Sequence, residues 1–531
     1  MAKEIYDSEI GRGWATYIPA VAAIGGAFVM LGLRLQLGDR FISDGALMML
    51  ALACYLFAAL FQLTNLYAPS DMAQKIGLWS AVLGVFFNLS SWLVRWDAGY
   101  AHEIAIMRES GNMATPWIFR YVPFANLYDL SLAFAFGAGI ATLLLARRRN
   151  FQVLSAFTLP LAAIILTLAR FIGNEFIDLP PVLDSYWRPI HVGVASLSYG
   201  VALVCFAIAV IYLLKDGLKV EAMAIWSSIF AIGVIGTISK FSVFTGLVYR
   251  AGLFVANPGG KPFSAPFRLE IPYAGAALAF CGLLLAGVVA AFLIYLYGKN
   301  EGAKTFGHLL LKVALIAQIL TVGLLVSQIR TTTDVPSRLN AQVTEEPSQL
   351  VTAGRAIAER QQLSAREFAA ITPNQFEQMG RQYLQGSGDQ MYLSVGTNPV
   401  EIAGLITALA GTFFVVLFSF NTDKLRERLP NLESLDSLMY RTACLAFAGL
   451  AMLLITGAIW ANESWGRPWG FDSKETGALI AWLTYAAFLH TRISRGWKGR
   501  SSAYFAVIGF LLVIFTYLGV SYLLPGLHSY A

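Results

Sequence analysis

A chain of 531 residues that is 57% hydrophobic and only 13% charged, about half the usual charged share, excludes an ordinary soluble globular protein and points to the polytopic membrane class. The formal net charge of +6 could suggest nucleic acid, but the bases sit in short loops between apolar runs, where they read as topology signals. The four cysteines, Cys54, Cys205, Cys281 and Cys444, all fall inside apolar runs without CxxC, CxxCH or metal-ligand spacing, so they read as packing residues.

A membrane span needs about 20 apolar residues. Taken in chain order, that rule predicts thirteen: 15–36, 46–65, 76–95, 127–146, 152–173, 193–214, 224–247, 272–297, 307–328, 399–420, 440–460, 475–493 and 502–524. The expected fold is therefore an all-α polytopic integral membrane protein. An odd number of spans places the termini on opposite sides. With the N-terminus cytoplasmic, the cytoplasmic loops receive Lys75, Arg147, Arg148, Arg149, Lys215, Lys219, Lys299, Lys304, Lys424, Arg426, Arg428, Arg492, Arg495, Lys498 and Arg500, which is the positive-inside pattern. The loops at 37–45, 96–126, 174–192 and 248–271, the segment 329–398 and the final GLHSYA are then expected outside, with the C-terminus extracytoplasmic. The first apolar run is long enough to span and lacks a small-residue cleavage site, so no cleavable signal peptide is expected.

Three regions follow from this count: 1–220 with N-terminal membrane helices, 221–435 with additional membrane helices and a polar segment at 329–398, and 436–531 with the last helices. Within 329–398, Ser364 with Glu367 reads as a capping box, and Thr372, Pro373 and Gln375 supply an N-cap, a proline at the first helical position and a second box partner. Two short amphipathic helices are predicted there. The segment has no Cys, His or Gly-rich phosphate loop, which leaves partner docking or a plain extracytoplasmic insertion as its readings.

Near the C-terminus the run WGRPWGFDSKE, Trp465 to Glu475, joins two apolar stretches. A connection of that length needs only small or polar residues. Here Trp460, Trp465, Trp469 and Phe471 interleave with Gly466, Pro468, Gly470 and the charged Asp472, Lys474 and Glu475. Any one of these rings fits an interfacial aromatic belt; together they suggest a platform for a planar apolar ligand with charged edges.

The five histidines are His102, His191, His308, His490 and His528. On this topology His191 and His528 flank the membrane side on which the Trp-rich loop emerges, and two neutral imidazoles on opposite faces of a flat macrocycle are a standard way to hold haem iron. His490 ends a span at the opposite face, about 25 Å along an intact helix at 1.5 Å per residue, and is out of reach of the same iron.

The run GAIWANESWGRPWGFDSKETGALIAWLTYAAFLHTR resembles the signature of the haem-handling cytochrome c assembly superfamily, in particular its CcsA/ResC-type component. SYWRPIHV at 185–192 resembles the first external histidine motif of that family, GLHSY at 526–530 the second, and VPFANLYD at 122–129 the approach to an earlier span. These matches cover roughly 90–215 and 436–531. The resemblance implies haem b as cofactor, with Trp460, Trp465, Gly466, Trp469, Phe471, Asp472, Lys474 and Glu475 in the external haem-binding region. It also implies His191 and His528 as axial ligands there and His490 as a transient ligand on the haem's route from the cytoplasm. Family members usually carry Trp where this chain has Phe471 and Pro where it has Ser473. Lys474 and Arg467 are candidates for the haem propionates, the latter against ordinary interfacial snorkelling.

By the same resemblance the expected function is cytochrome c assembly: haem is conveyed outward and presented to CxxCH apocytochromes, as part of a haem lyase or synthase. The implied partners are a ResB/CcsB-like membrane protein, the apocytochrome and the lipid bilayer, without nucleic acid. The expected location is the bacterial cytoplasmic membrane, ahead of a plastid thylakoid. Spans seven to ten and the segment 329–398 have no counterpart in the shorter family members. His308, in KTFGHLLLK, is a candidate to pair with His490 across an inner haem site where no partner does, against the plain reading of a helix-start histidine at a wet interface. His102, in DAGYAHE, lacks the family's histidine context. The alternatives are a permanent haem-bearing subunit of a respiratory complex, which would set histidine pairs within the bilayer, or a transporter, which would show inverted halves that the chain lacks.

Overall fold

The computed structural model describes residues 15–173, 176, 183, 185–257, 262–361 and 365–520. The helices are α1 (Ile18–Leu37), α2 (Asp44–Tyr67), α3 (Asp71–Glu109), α4 (Leu127–Ala146), α5 (Ser155–Ile172) and α6 (Trp187–Lys215). Next come α7 (Val220–Thr237), strands β1 (Arg250–Val255) and β2 (Phe263–Glu270), α8 (Ala274–Gly298) and α9 (Glu301–Thr331). After these follow α10 (Val335–Glu345), α11 (Ser348–Arg360), α12 (Ala365–Ala370), α13 (Pro373–Ser387), β3 (Met391–Tyr392) and α14 (Pro399–Ser419). The described residues close with α15 (Thr422–Arg428), α16 (Leu432–Trp465), α17 (Ser473–Arg495) and α18 (Arg500–Ile514), the last continued by a π-turn over Phe515–Gly519.

Each of the thirteen expected spans falls on helix as far as the described residues run, the end of 502–524 lying outside them, and among the described residues twelve helices are long and apolar enough to cross a membrane. The protein is an all-α polytopic membrane protein. Helix α17, on the expected span 475–493, is continuous over 23 residues but is not one of the twelve. Helix α7 stops at Thr237, ten residues short of the expected 247; a 3-10 turn over Ile238–Phe241 and a five-residue helix over Ser242–Gly246 fill the rest of that span and lead to β1. Helix α3 runs for 39 residues, about 58 Å at 1.5 Å per residue, well beyond a hydrocarbon layer of about 30 Å.

The chain packs as two compact units, one made of residues up to Leu218 together with those from Asn421 onward, the other Lys219–Phe420. In the first, α6 packs against α4, α16 and α18, and its residues from Ala202 to Leu214 are almost all buried. The buried Arg34 and Arg95 of this unit are paired with carboxylates, as a low-dielectric interior demands. Arg95, 1% exposed, is held by Asp129 and, at 3.3 Å, by Asp44, to which the Tyr128 hydroxyl donates at 3.1 Å. Its guanidinium also lies 4.5 Å from the Phe176 ring. This cluster ties the N-terminal turns of α2 and α4 to the middle of α3.

In the second unit α7, α8, α9 and α14 form a bundle around Ala231, Leu278, Leu285, Ala314 and Leu405. Strands β1 and β2 interrupt the expected loop 248–271 and, with β3, make an antiparallel sheet in the order β2–β1–β3. Pro266 is tolerated within β2 because that strand is an edge. The Gln342 amide and the Arg338 guanidinium of α10 reach the remaining backbone groups of β2 at Arg268 and Glu270. Leu253, Phe267, Leu269, Leu339, Val343 and Leu350 form the core beneath the sheet.

The segment 329–398 holds four helices, α10 to α13, where two were expected. Its second start signal is realised: Thr372 accepts from the Gln375 amide while Gln375 accepts from the Thr372 amide, with Pro373 in the first turn. Ser364 of the other box lies outside the described residues, and its partner Glu367 falls in α12.

Candidate functional site

Helix α16 ends at Gly466, whose φ of +70° is a left-handed cap that favours glycine. Six residues later Asp472 caps the start of α17. The turn between them is stitched from within: the Asp472 carboxylate accepts from the Lys474 amide at 3.3 Å, and Glu475 Oε2 accepts from the amides of Gly470 at 2.8 Å and Asp472 at 3.2 Å. This is a capping box written in the sequence as D-x-x-E. Asp472 and Glu475 thus carry a structural duty that composition alone did not reveal. The Arg467 guanidinium folds back over Gly470 instead of snorkelling away; a β-carbon on Gly470 would stand 2.5 Å from it.

The aromatic residues divide by depth. Trp460 is buried in α16, and its indole N–H has no acceptor among the described residues. Trp465 and Trp469 are half-buried, and Phe471 packs edge-on against Trp469 at 6.1 Å while remaining 79% exposed. Phe471 also has φ +54°, a strained conformation for a bulky side chain. Burial lowers the Lys474 ammonium to about 8, against the opposing pull of Asp472, so this cation keeps its proton at neutral pH and loses it as pH rises through that value.

The strain at Phe471 makes a direct prediction. Because the ring contributes little packing, Phe471→Gly should leave the thermal stability of the chain unchanged or raise it by up to about 1 kcal/mol. A clear loss of stability would show that the ring is a packing residue.

His191 lies in the second turn of α6 and points at α16. Its Nδ1 is 3.1 Å from the Leu453 carbonyl and 3.3 Å from Thr456 Oγ1, and its ring centroid is 5.6 Å from that of Trp460. Gly457 completes the seat: a β-carbon there would stand 2.9 Å from His191 Cε1. Leu453, Thr456, Gly457 and Trp460 follow the i, i+3, i+4, i+7 spacing of one helix face. None of the first three was legible as a site residue. Their signal was that spacing back from Trp460, which matters only once the face is known to meet His191.

The other expected residues separate. His490 lies on the exposed face of α17 with Ile480, Leu483 and Ile493, and from Lys474 it is about 24 Å along the unbroken helix. Of the bases that follow it, Arg492, Arg495, Lys498 and Arg500, two are committed elsewhere: Arg492 grips Asp436 at 2.9 and 2.5 Å, and Arg500 pairs with Asp216 at 2.7 Å. His308 belongs to the second unit, where its Nε2 lies 3.2 Å from Glu221 and its ring meets Phe292 edge-on at 5.0 Å. His102 stacks on Phe176 at 5.4 Å. His528 lies outside the described residues. Among the described residues no three His, Cys, Asp or Glu side chains gather to hold a bare metal ion.

The chain matches the family described as "Cytochrome C assembly protein" over residues 124–254 and 277–528, well over half its length. It is similar to the cytochrome c biogenesis protein CcsA of Prochlorococcus marinus (strain MIT 9515), 48% identical over 132 residues that make 25% of this chain and 42% of that one. It is likewise similar to the proteins of that name from Parasynechococcus marenigrum (strain WH8102), 54% identical over 19% of this chain and 34% of the relative, and from Prochlorococcus marinus (strain NATL2A), 56% identical over 19% and 32%. The chain thus matches less than half the length of these curated relatives. No solved structure matches it.

Proposed function

The chain belongs to the cytochrome c assembly protein family, and on that premise we propose that it binds haem b, conveys it to the extracytoplasmic face and presents it to CxxCH apocytochromes. The observation that carries this reading is the seat of His191 on α16 beside Trp460, one and a half turns from the Trp-rich turn. An imidazole whose Nδ1 is tied to a carbonyl is arranged as an iron ligand. The buried indole N–H of Trp460 lacks an acceptor among the described residues, and the exposed Phe471 ring lacks a cover; a flat, apolar molecule edged with carboxylates answers both. These residues fit haem.

In this reading haem is the cargo. The apocytochrome's two cysteine thiols add S–H across the haem vinyl groups, and the chain's own residues hold the ring in place meanwhile. His191, with His528 opposite, supplies axial ligation and orientation. Trp465, Trp469 and Phe471 supply apolar area, at about 25 cal/mol per Å² removed from water. Lys474, cationic below about pH 8, pairs with a propionate, so haem retention is expected to weaken as pH rises through that value. The capping box of Asp472 and Glu475 keeps the turn in shape while product leaves.

His490 acts earlier, at the cytoplasmic end of α17, with the N-terminus of the chain on that same side. Its exposed helix face suits a ResB/CcsB-like membrane partner that covers the histidine within the bilayer of the bacterial cytoplasmic membrane. The Nε2 of His308 faces Glu221, which favours the plain reading of that residue.

The test is transfer. Haem captured by the purified chain should pass covalently to a CxxCH peptide under reducing conditions, and Trp465→Ala should lower holocytochrome yield severalfold at an unchanged membrane level. Captured haem that stays with the chain would favour a resident cytochrome, and an undiminished yield in Trp465→Ala would remove the platform.

A further inference from the structure

Serine and threonine hydroxyls inside helices commonly donate back to the carbonyl one turn earlier, and in α16 both Thr442 and Thr456 do so, at 3.0 Å to Leu438 and 2.7 Å to Met452. Ser464 does not: its Oγ is buried with no hydrogen-bond partner among the described residues. One turn before it the Trp460 indole, 7% exposed, also holds an N–H without an acceptor. Residues four apart on a helix set their β-carbons about 5–6 Å apart on one face, so the two donors are neighbours. Ser464 thereby extends the stripe of Leu453, Gly457 and Trp460 toward the Trp-rich turn. An indole N–H can only donate, and buried donors are costly to leave unmade, so this pair calls for an acceptor from outside the helix. Lys474 lies half-buried at the start of α17, which packs against α16, and adds a cation with three more donors.

From this we infer that Trp460 and Ser464 form a carboxylate seat on the outer turns of α16, which holds a propionate of haem while Lys474 supplies the charge. The inference rests on the reading of haem as cargo and names the residues that hold its polar rim. A carboxylate suits the seat because its two oxygens accept from both donors at once, and hydrogen bonds to an ionised acceptor are roughly twice as strong as neutral ones. Axial ligation alone leaves a macrocycle free to turn about the metal–nitrogen bond; a second anchor at the rim stops that rotation. Trp460 serves both ends, since its ring centroid is 5.6 Å from that of His191 and its N–H belongs to the seat.

Iron-free protoporphyrin IX and its dimethyl ester, titrated into the purified chain and followed by porphyrin fluorescence, test the seat without any metal ligation. The free acid should bind about tenfold more tightly than the ester, the scale of one hydrogen bond to a charged group. Ser464→Ala keeps a good helix former at that position; it should weaken binding of the acid severalfold and leave the ester unchanged. Trp460→Phe and Lys474→Gln should act in the same direction, and Ser464→Thr should retain the preference for the acid. Equal binding of acid and ester, an equal loss of both in Ser464→Ala, or an unchanged preference in Ser464→Ala and Trp460→Phe together would overturn the seat, and haem taken up by the same preparation would leave the cargo reading intact. A chain that takes up neither porphyrin nor haem would end the cargo reading and the seat with it. A preference for the acid that depends on Ser464, in a chain whose haem spectrum survives His191→Ala, would support the seat and remove only the ligand role of His191.

Discussion

His191→Ala, expressed at the level of the parent chain, should lose its low-spin haem spectrum, with weakened Soret and α bands that added imidazole partly restores. The physical ground is that α6 does not need this side chain. Alanine is the best helix former, and the ring is only half-buried, seated in a notch that Gly457 leaves open. Removing it opens a space between α6 and α16 that is lined by Leu453, Thr456 and Trp460 and accepts free imidazole. Retention should fall on the order of 100-fold, about 2.8 kcal/mol at 1.4 kcal/mol per tenfold. His528→Ala, at the second external motif, is expected to behave in the same way. Unchanged spectra in both variants would remove these residues as ligands. Loss of haem without rescue in His191→Ala would point to collapse of the α6–α16 contact instead.

His490→Ala should leave the outer site empty although His191 and His528 are both intact. The reason is position along one rigid element: α17 carries the Trp-rich turn at its start and His490 near its end, about 24 Å away with no break between. A group that far from the outer ligands can act on haem only before they do. The neighbouring bases do little to change this, because Arg492 and Arg500 hold Asp436 and Asp216 and serve as locks between helix ends. Haem occupancy at equal expression decides the matter. His490→Ala should fall severalfold or more, whereas His528→Ala should keep haem at the inner position or hold it in a disturbed form at the outer one. An outer site that fills normally in His490→Ala would end inside-to-outside conveyance and favour entry from the bilayer or from outside.

The position of every long membrane helix was legible in the chain, because a bilayer demands about 20 consecutive apolar residues and little else. The Trp-rich connection between α16 and α17 was legible as a break between two apolar runs, but its stitching was not read there, although the Gly466 cap and the Asp472–Glu475 spacing are local signals that need no distant partner. What the tertiary structure decided depends on pairs far apart in sequence. The charge of Arg95 is tolerable only because Asp44 and Asp129 arrive from two other helices. Strands β1 and β2 occupy a segment too short and irregular to announce itself, and they are stable because α10 and β3, contributed from beyond two membrane helices, close over them. His308 was a free candidate in the sequence and is a partner of Glu221 in the fold. His191 stood out as a candidate by its motif, but the seat it takes on α16 was not readable. That seat is made by Leu453, Thr456 and Gly457, more than 260 residues away, because the surroundings of a ring are set by the helix packed against it and not by the residues that adjoin it in the chain.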